Sequence, residues 1–212
     1  MGRDMNEELE LSLLRLLVSS WGGAEEDVAL AAEFSRVTRV RPGWLSASPN
    51  GRFVVTWRQG MGRMGVERPP AIVVVADMVE EVVHYDLTVM RPMMAVVSNE
   101  GRFLVGDSTW EDFNSTVVCR SSSGRLLWQQ AFDANLGEIG LSASGELACV
   151  TTLINPRVRW SSPALLLLNG ETGAVVRARE WWPGGAHRLE FRDAELFVVF
   201  PSGEAGAVLW TE

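Results

Sequence analysis

Ser48-Pro49-Asn50-Gly51-Arg52-Phe53-Val54-Val55 returns later in the chain as Ser98-Asn99-Glu100-Gly101-Arg102-Phe103-Leu104-Val105. A weaker copy is Ser142-Ala143-Ser144-Gly145-Glu146-Leu147-Ala148-Cys149, and a degenerate one is Phe191-Arg192-Asp193-Ala194-Glu195-Leu196-Phe197-Val198. The glycine position recurs after 50, 44 and 49 residues. The first three copies place turn residues around a glycine, where the fourth has Ala194, and an apolar run follows in each, β-branched or aromatic in all but the third. That order describes a tight hairpin leading into a strand, with glycine supplying the backbone conformation the turn needs. Units of about 40–50 residues built from short strands are the signature of a β-propeller.

Outward from these copies, alternating apolar runs bounded by turn residues predict four strands in each of three units. They fall at 44–48, 52–58, 71–77 and 82–87; at 93–98, 102–107, 116–120 and 126–132; and at 138–142, 147–153, 164–169 and 174–180. The fourth unit yields three, at 188–191, 196–200 and 207–211. Ahead of the units, Leu9, Leu13, Leu16 and Leu17 recur at helical spacing behind acidic residues, Trp21-Gly22-Gly23 stops that helix, and residues 25–34 read as a second one. Residues 35–40 then alternate polar and apolar, as a half-buried strand does. A propeller leaves no edge unpaired, so this strand is expected to pair with 207–211 and close the last blade. The alternative is a partial ring completed by a second copy. The expected fold is therefore all-β: a small propeller of about four four-stranded blades over residues 35–212, closed by an N-terminal strand, with a helical appendage over residues 1–34.

The Ser-Pro-Asn-Gly-Arg-Phe-Val-Val unit resembles the strand-turn-strand of bacterial YVTN-type and WD40-like propellers. Ser123-Gly124-Arg125-Leu126-Leu127-Trp128 and Leu168-Asn169-Gly170-Glu171-Thr172-Gly173-Ala174-Val175-Val176 are similar to the third-to-fourth strand hairpin of PQQ-like repeats. The resemblance covers residues 40–212 and implies a scaffold rather than a chemistry. It departs from ordinary WD40 proteins in lacking the repeated Gly-His and Trp-Asp pairs. The quinone-binding residues of PQQ dehydrogenases find no match, so no cofactor is expected.

Net charge is −8 with a pI near 4.9, which disfavours nonspecific binding to nucleic acid or anionic membrane. All 19 basic residues are arginine, which excludes lysine catalysis; a GC-rich genome is the plain reading of that bias. Cys119 and Cys149 fall in strand-like runs and read as buried free thiols, in keeping with a reducing cytoplasm. The apolar segment 9–18 follows acids rather than basic residues and is interrupted by Arg15, so it reads as an amphipathic helix and not a signal peptide. No apolar run is long enough to predict a transmembrane helix.

Motifs that carry chemistry are sparse. Gly60-Met61-Gly62-Arg63-Met64-Gly65 matches a dinucleotide fingerprint, but Val66-Glu67-Arg68-Pro69-Pro70 and a strand follow it where a helix is required. His84 lies in an alternating strand, and His187 in a Gly-Gly loop without a partner in sequence. There is no nucleophile elbow. Asp107, Glu111, Asp112 and Asn114 share a loop without calcium-loop spacing. No catalytic or metal residue is expected.

The tryptophans are more informative. Trp44, Trp57, Trp128 and Trp210 lie in strands, where packing accounts for them. In a propeller the second-to-third strand loops and the blade-to-blade connections emerge on one face. Here those are the long segments, 59–70, 108–115, 154–163 and 181–186, while the opposite face has tight turns. Arg63, Arg68, Trp110, Arg157, Arg159, Trp160, Trp181 and Trp182 should therefore gather on the long-loop face. Tryptophan and arginine are enriched at interface hot spots, against the plain alternative that these rings fold back as packing. The expectation is a cytoplasmic, non-enzymatic interaction module that binds another protein, as one subunit of a larger assembly. The alternatives are a ligand-binding or hydrolytic propeller enzyme and an acidic inhibitor or immunity protein for a basic partner.

Overall fold

A computed structural model describes residues 25–38, 42–59, 71–89, 91–108, 113–158, 162–181, 188–200 and 202–208, with Arg15 and Trp210. One helix, α1 (Glu25–Thr38), precedes fifteen strands among these residues. The first blade is β1 (Trp44–Ala47), β2 (Phe53–Arg58), β3 (Ala71–Asp77) and β4 (Val82–Val89). The second is β5 (Pro92–Val97), β6 (Phe103–Ser108), β7 (Ser115–Arg120) and β8 (Leu126–Phe132). The third is β9 (Leu136–Leu141), β10 (Leu147–Thr152), β11 (Ala164–Asn169) and β12 (Val175–Glu180). The fourth comprises β13 (Arg188–Arg192), β14 (Glu195–Val199) and β15 (Ala205–Ala207). Each sheet is an antiparallel meander in chain order, and the four together form the propeller.

Side chains alternate across each strand, so every blade has two faces to bury. Phe53, Val55, Trp57, Val73 and Val75 of the first blade pack against Ala95, Val97, Phe103 and Val105 of the second. Leu104, Val117, Cys119 and Trp128 continue into the third through Leu136, Ile139, Ala148, Val150 and Leu168. Cys149 and Leu165 then meet Leu196 and Val208 of the fourth.

The repeated motif does not fold identically in each copy. Ser48 N–H donates to Phe53 O and Ser142 N–H to Leu147 O, five residues on, but Ser98 N–H donates to Arg102 O, four residues on. The second hairpin is thus one residue tighter, and Val97 pairs with Phe103 where Ala47 pairs with Val54. A slip of one residue turns every side chain to the opposite face. Phe53 therefore faces forward and Phe103 backward, and the two meet in one interface. The slip also has a polar consequence: the Ser48 and Ser142 hydroxyls accept from Phe53 N–H and Leu147 N–H, whereas Ser98 Oγ is buried with no hydrogen-bond partner among the described residues. In the fourth copy the turn shortens to Asp193-Ala194 between the paired Arg192 and Glu195, with Asp193 at φ 56°. Aspartate is among the few non-glycine residues that tolerate that conformation.

The expected closing strand at 35–40 is not formed. Residues 35–38 are the last turn of α1, which runs past residue 34, and Arg39 and Val40 lie outside the described residues. The Ser35 and Thr38 hydroxyls donate to the Ala31 and Phe34 carbonyls one turn back, and Arg36 bridges Glu33 and Glu81. Phe34 is fully buried against Val54, Val74 and Ala76, the face of the first blade turned away from the second. Tertiary burial of that ring outweighs a short alternating pattern. The helix expected over residues 4–20 lies outside the described residues apart from helical Arg15, and no described helix is long and apolar enough to cross a membrane. The last strand also differs from expectation. Among the described residues it occupies Ala205–Ala207 where 207–211 was expected, with Val208 N–H adding one bond to Leu196 O; Leu209 and Thr211 lie outside the described residues.

Two substitutions test this packing. Phe34→Ala should cost about 3 kcal/mol in urea unfolding, because α1 would leave a cavity over the first blade. Gly51→Ala should cost about 1 kcal/mol from its positive φ alone, since an added methyl meets nothing there. Gly101→Ala should cost at least about twice as much, because that methyl would lie 2.7 Å from the Phe53 ring.

Candidate functional site

The long loops begin where apolar strands give way to polar, turn-forming residues. After β10, Asn155 is 2% exposed and pins its loop: its Nδ2 donates to Asp133 O at 2.7 Å, and its Oδ1 accepts from Arg157 N–H at 2.9 Å. Asp133 lies in the connection between the second and third blades, so that connection and the β10–β11 loop share one face. Arg157 then places its guanidinium 5.3 Å from the centre of the Phe113 ring, which belongs to the β6–β7 loop of the preceding blade. Leu153, Ile154 and Val158 beside it are each more than two-fifths exposed. Arginine stacked on an aromatic ring and flanked by exposed aliphatic side chains is a composition suited to a protein interface.

Trp181 is half-buried. Its backbone N–H donates to Pro163 O at 2.9 Å, its ring packs against the cluster of Cys149, Leu165, Leu196 and Val208, and the Arg179 guanidinium lies 5.9 Å from the ring centre. Its ring thus contributes to the contact between the third and fourth blades. Arg63, Arg68, Trp110, Arg159, Trp160 and Trp182 lie outside the described residues, as do residues 60–65, His187, Glu111 and Asp112. Of that loop, Asp107 and Asn114 are described: Asp107 Oδ1 accepts from Arg91 N–H at 2.6 Å, and Asn114 is exposed. Phe113 and Asn155 carried no signal in the sequence, since both depend on which loops the blades bring together.

A second polar cluster lies at the tight-turn end of the first blade. Asp77 is fully buried; its Oδ2 accepts from Arg52 Nε at 2.8 Å, and its Oδ1 accepts from Val79 N–H and Glu80 N–H at 3.0 and 3.1 Å. Burial by itself would raise this carboxyl's pKa, but the Arg52 guanidinium and the two backbone N–H groups win and hold it below the usual aspartate range. His84 Nδ1–H donates to Ser122 O of the second blade at 3.1 Å, and its Nε2 lies 3.8 Å from Asp77 Oδ2, too long for a hydrogen bond. Phe53 meets the His84 ring edge-on at 5.4 Å. Arg52, Asp77 and His84 line an open cleft of about 490 Å³ with Glu80, Val82, Val83 and Ser123. The pairing could have been read from the first hairpins, whose register sets Phe53, beside Arg52, opposite Asp77.

Both cysteines are buried free thiols, as the sequence suggested, and burial pushes Cys119 up to about 12 and Cys149 up as well, which makes both poor nucleophiles. Among the described residues no three His, Cys, Asp or Glu side chains converge to hold a metal.

No protein-family model and no curated protein matches this chain. Solved structures do. The β-propeller domain of the Trilobed protease from Pyrococcus furiosus, which has an open velcro topology, matches with a TM-score of 0.50 at 8% identity, over 78% of this chain and 57% of that one. The WD40 β-propeller domain of Doa1 matches at 0.48 and 12% identity, over 81% and 52%. BamB from Moraxella catarrhalis matches at 0.46 and 14% identity, over 74% and 46%. The chain thus spans about half the length of these structures, and the likeness extends to the propeller fold alone.

Asp77→Asn should lower stability by about 2 kcal/mol near neutral pH, by removing the charge that Arg52 faces. A depressed aspartate pKa stabilises the fold above the ordinary aspartate range, and that contribution is lost as pH falls through the lowered value. The gap between wild type and variant in urea denaturation should therefore narrow below about pH 4.

Proposed function

We propose that this chain is a non-enzymatic protein-interaction scaffold whose partner binds on the long-loop face. The contact of Arg157 with Phe113 carries the reading: it draws the loops of two adjacent blades into one surface, with Leu153, Ile154 and Val158 exposed around it. A rigid propeller presenting such a surface suits recognition better than catalysis. The partner is another protein, and the arginine-aromatic centre favours one that offers carboxylates and aromatic side chains. Arg63, Arg68, Trp110, Arg159, Trp160 and Trp182 belong to the same proposed surface by the placement of their loops in the chain.

A tagged pull-down from the native host, beside light scattering of the pure protein, is the test. A stoichiometric partner should be recovered, and Arg157→Ala or Trp182→Ala should weaken its binding at least about tenfold while the circular dichroism spectrum stays unchanged. Unchanged binding by folded variants would overturn the assignment of this face.

A further inference from the structure

Two hairpins of this chain carry an Asn-Gly pair: Asn50-Gly51 between β1 and β2, and Asn169-Gly170 between β11 and β12. Asparagine is among the thermolabile residues, and a glycine after it offers the least hindered backbone nitrogen to the side-chain amide carbon, because it has no Cβ. At both pairs donors already surround the amide oxygen. Asn50 Oδ1 accepts from Ser48 Oγ–H at 2.8 Å and Arg52 N–H at 3.0 Å. Asn169 Oδ1 accepts from Glu171 N–H at 3.0 Å, Thr172 N–H at 2.9 Å and Thr172 Oγ–H at 3.0 Å. Such donors stabilise the oxyanion that forms when a nucleophile adds to the amide carbon. Local chemistry therefore favours both pairs, and the difference lies in what each hairpin touches.

Asn50 and Gly51 are both exposed. Gly51 has φ 72°, and a methyl added to it would meet nothing within 4 Å. Its N–H donates to Ser48 O at 2.8 Å, inside the same turn, so an opening of the exposed tip frees the nitrogen. Gly170 is buried. Its N–H donates to Glu146 O of the neighbouring hairpin at 2.7 Å, and its carbonyl accepts from Trp128 Nε1–H of the second blade at 3.0 Å. A methyl added there would clash with Gly145 O. Freeing the Gly170 nitrogen therefore means parting two hairpins and the blades beside them, a larger opening than the fraying of a tip.

We infer that Asn50 is a site of spontaneous deamidation and isomerisation in the folded protein, and that Asn169 is protected from the same reaction by the blade beside it. The Gly51 nitrogen bonds to Asn50 Cγ, the bond from Cγ to Nδ2 breaks, and ammonia leaves with the proton that Gly51 gives up. Water then opens the cyclic imide at either carbonyl and returns a proton to the Gly51 nitrogen. Opening at the side-chain carbonyl gives aspartate; opening at the main-chain carbonyl gives isoaspartate. Either product adds a negative charge at the hairpin tip. Isoaspartate also lengthens the main chain by a methylene and takes the side-chain oxygen away from Ser48 and Arg52. Asn50 N–H donates to Asn99 Oδ1 at 2.9 Å, so this turn is one of the ties between the first and second blades, and the isomer should loosen it. The inference is independent of the long-loop face, and either can fail without the other.

The test is peptide mass mapping of the full chain during incubation at mildly alkaline pH. Isoaspartate is identified through its methylation by a protein-isoaspartate methyltransferase with S-adenosylmethionine. Synthetic peptides of residues 46–55 and 167–176 are incubated beside the protein to show the chemistry without the fold. The two peptides should convert at comparable rates. In the full chain Asn50 should convert at least about tenfold faster than Asn169. Asn50→Gln should remove the main methyl acceptor. Trp128→Phe, which takes away the donor to Gly170 O, should speed conversion at Asn169 about fivefold and leave Asn50 unchanged. An Asn50 that stays intact while its peptide converts would overturn the inference, as would an Asn169 that keeps pace with Asn50 in the full chain. A Trp128→Phe chain in which Asn169 is as slow as before would overturn the protection assigned to the neighbouring blade.

Discussion

Each of the first three blades has two apolar faces, and the next blade in the chain covers only one of them. That constraint organises the molecule. Between the blades it is met by interdigitating rows: Val55 and Val75 against Ala95 and Val105, then Leu104 and Cys119 against Ala148 and Leu168. On the first blade it is met by α1, whose Phe34, Leu30 and Val28 cover the face turned away from the second blade. On the fourth blade the row of β13 turned away from the third is charged. Arg188 and Arg192 flank Glu190, and the Arg192 guanidinium lies 4.7 Å from the Phe197 ring centre.

The one-residue slip in the second blade shows how little sequence difference such packing needs. Gly-Arg-Phe-Val-Val and Gly-Arg-Phe-Leu-Val differ by a methylene, yet their phenylalanines point in opposite directions around the propeller. The forward and backward rings fill one interface together, and the isolated Ser98 hydroxyl is the polar group that the tighter turn leaves behind. The tips of the hairpins are tied as well: Asn50 N–H donates to Asn99 Oδ1, Asn99 N–H to Ala143 O, and Arg102 to Gly145 O. The motif's polar residues thus hold successive blades at the tight-turn end, while Trp57, whose Nε1–H reaches Met93 O, holds the first two at the other.

Arginine does several kinds of work here, and its surroundings decide which. Arg52 neutralises a buried carboxylate, Arg36 ties α1 to the β3–β4 turn, and Arg157 covers an aromatic ring across two loops. Nothing in the local sequence distinguishes these roles, because each depends on a group supplied by a distant part of the chain.

Sequence alone determined the repeat, the strand order within each blade and the separation of tight turns from long loops. These follow from glycine at turns and from alternation along strands, both of which are local. Strands such as Ala71–Asp77, Leu126–Phe132 and Ala164–Asn169 coincide with their predicted limits for that reason. Tertiary structure decided the rest. Residues 35–38 alternate as a strand would, but they are helical because Phe34 has a blade face to fill. Phe53 and Phe103 share a motif but not a direction, because a hairpin one residue shorter reverses every side chain after it. The pairing of Phe113 with Arg157 arises from how blades stand beside one another, and no short window of sequence contains both members of that contact.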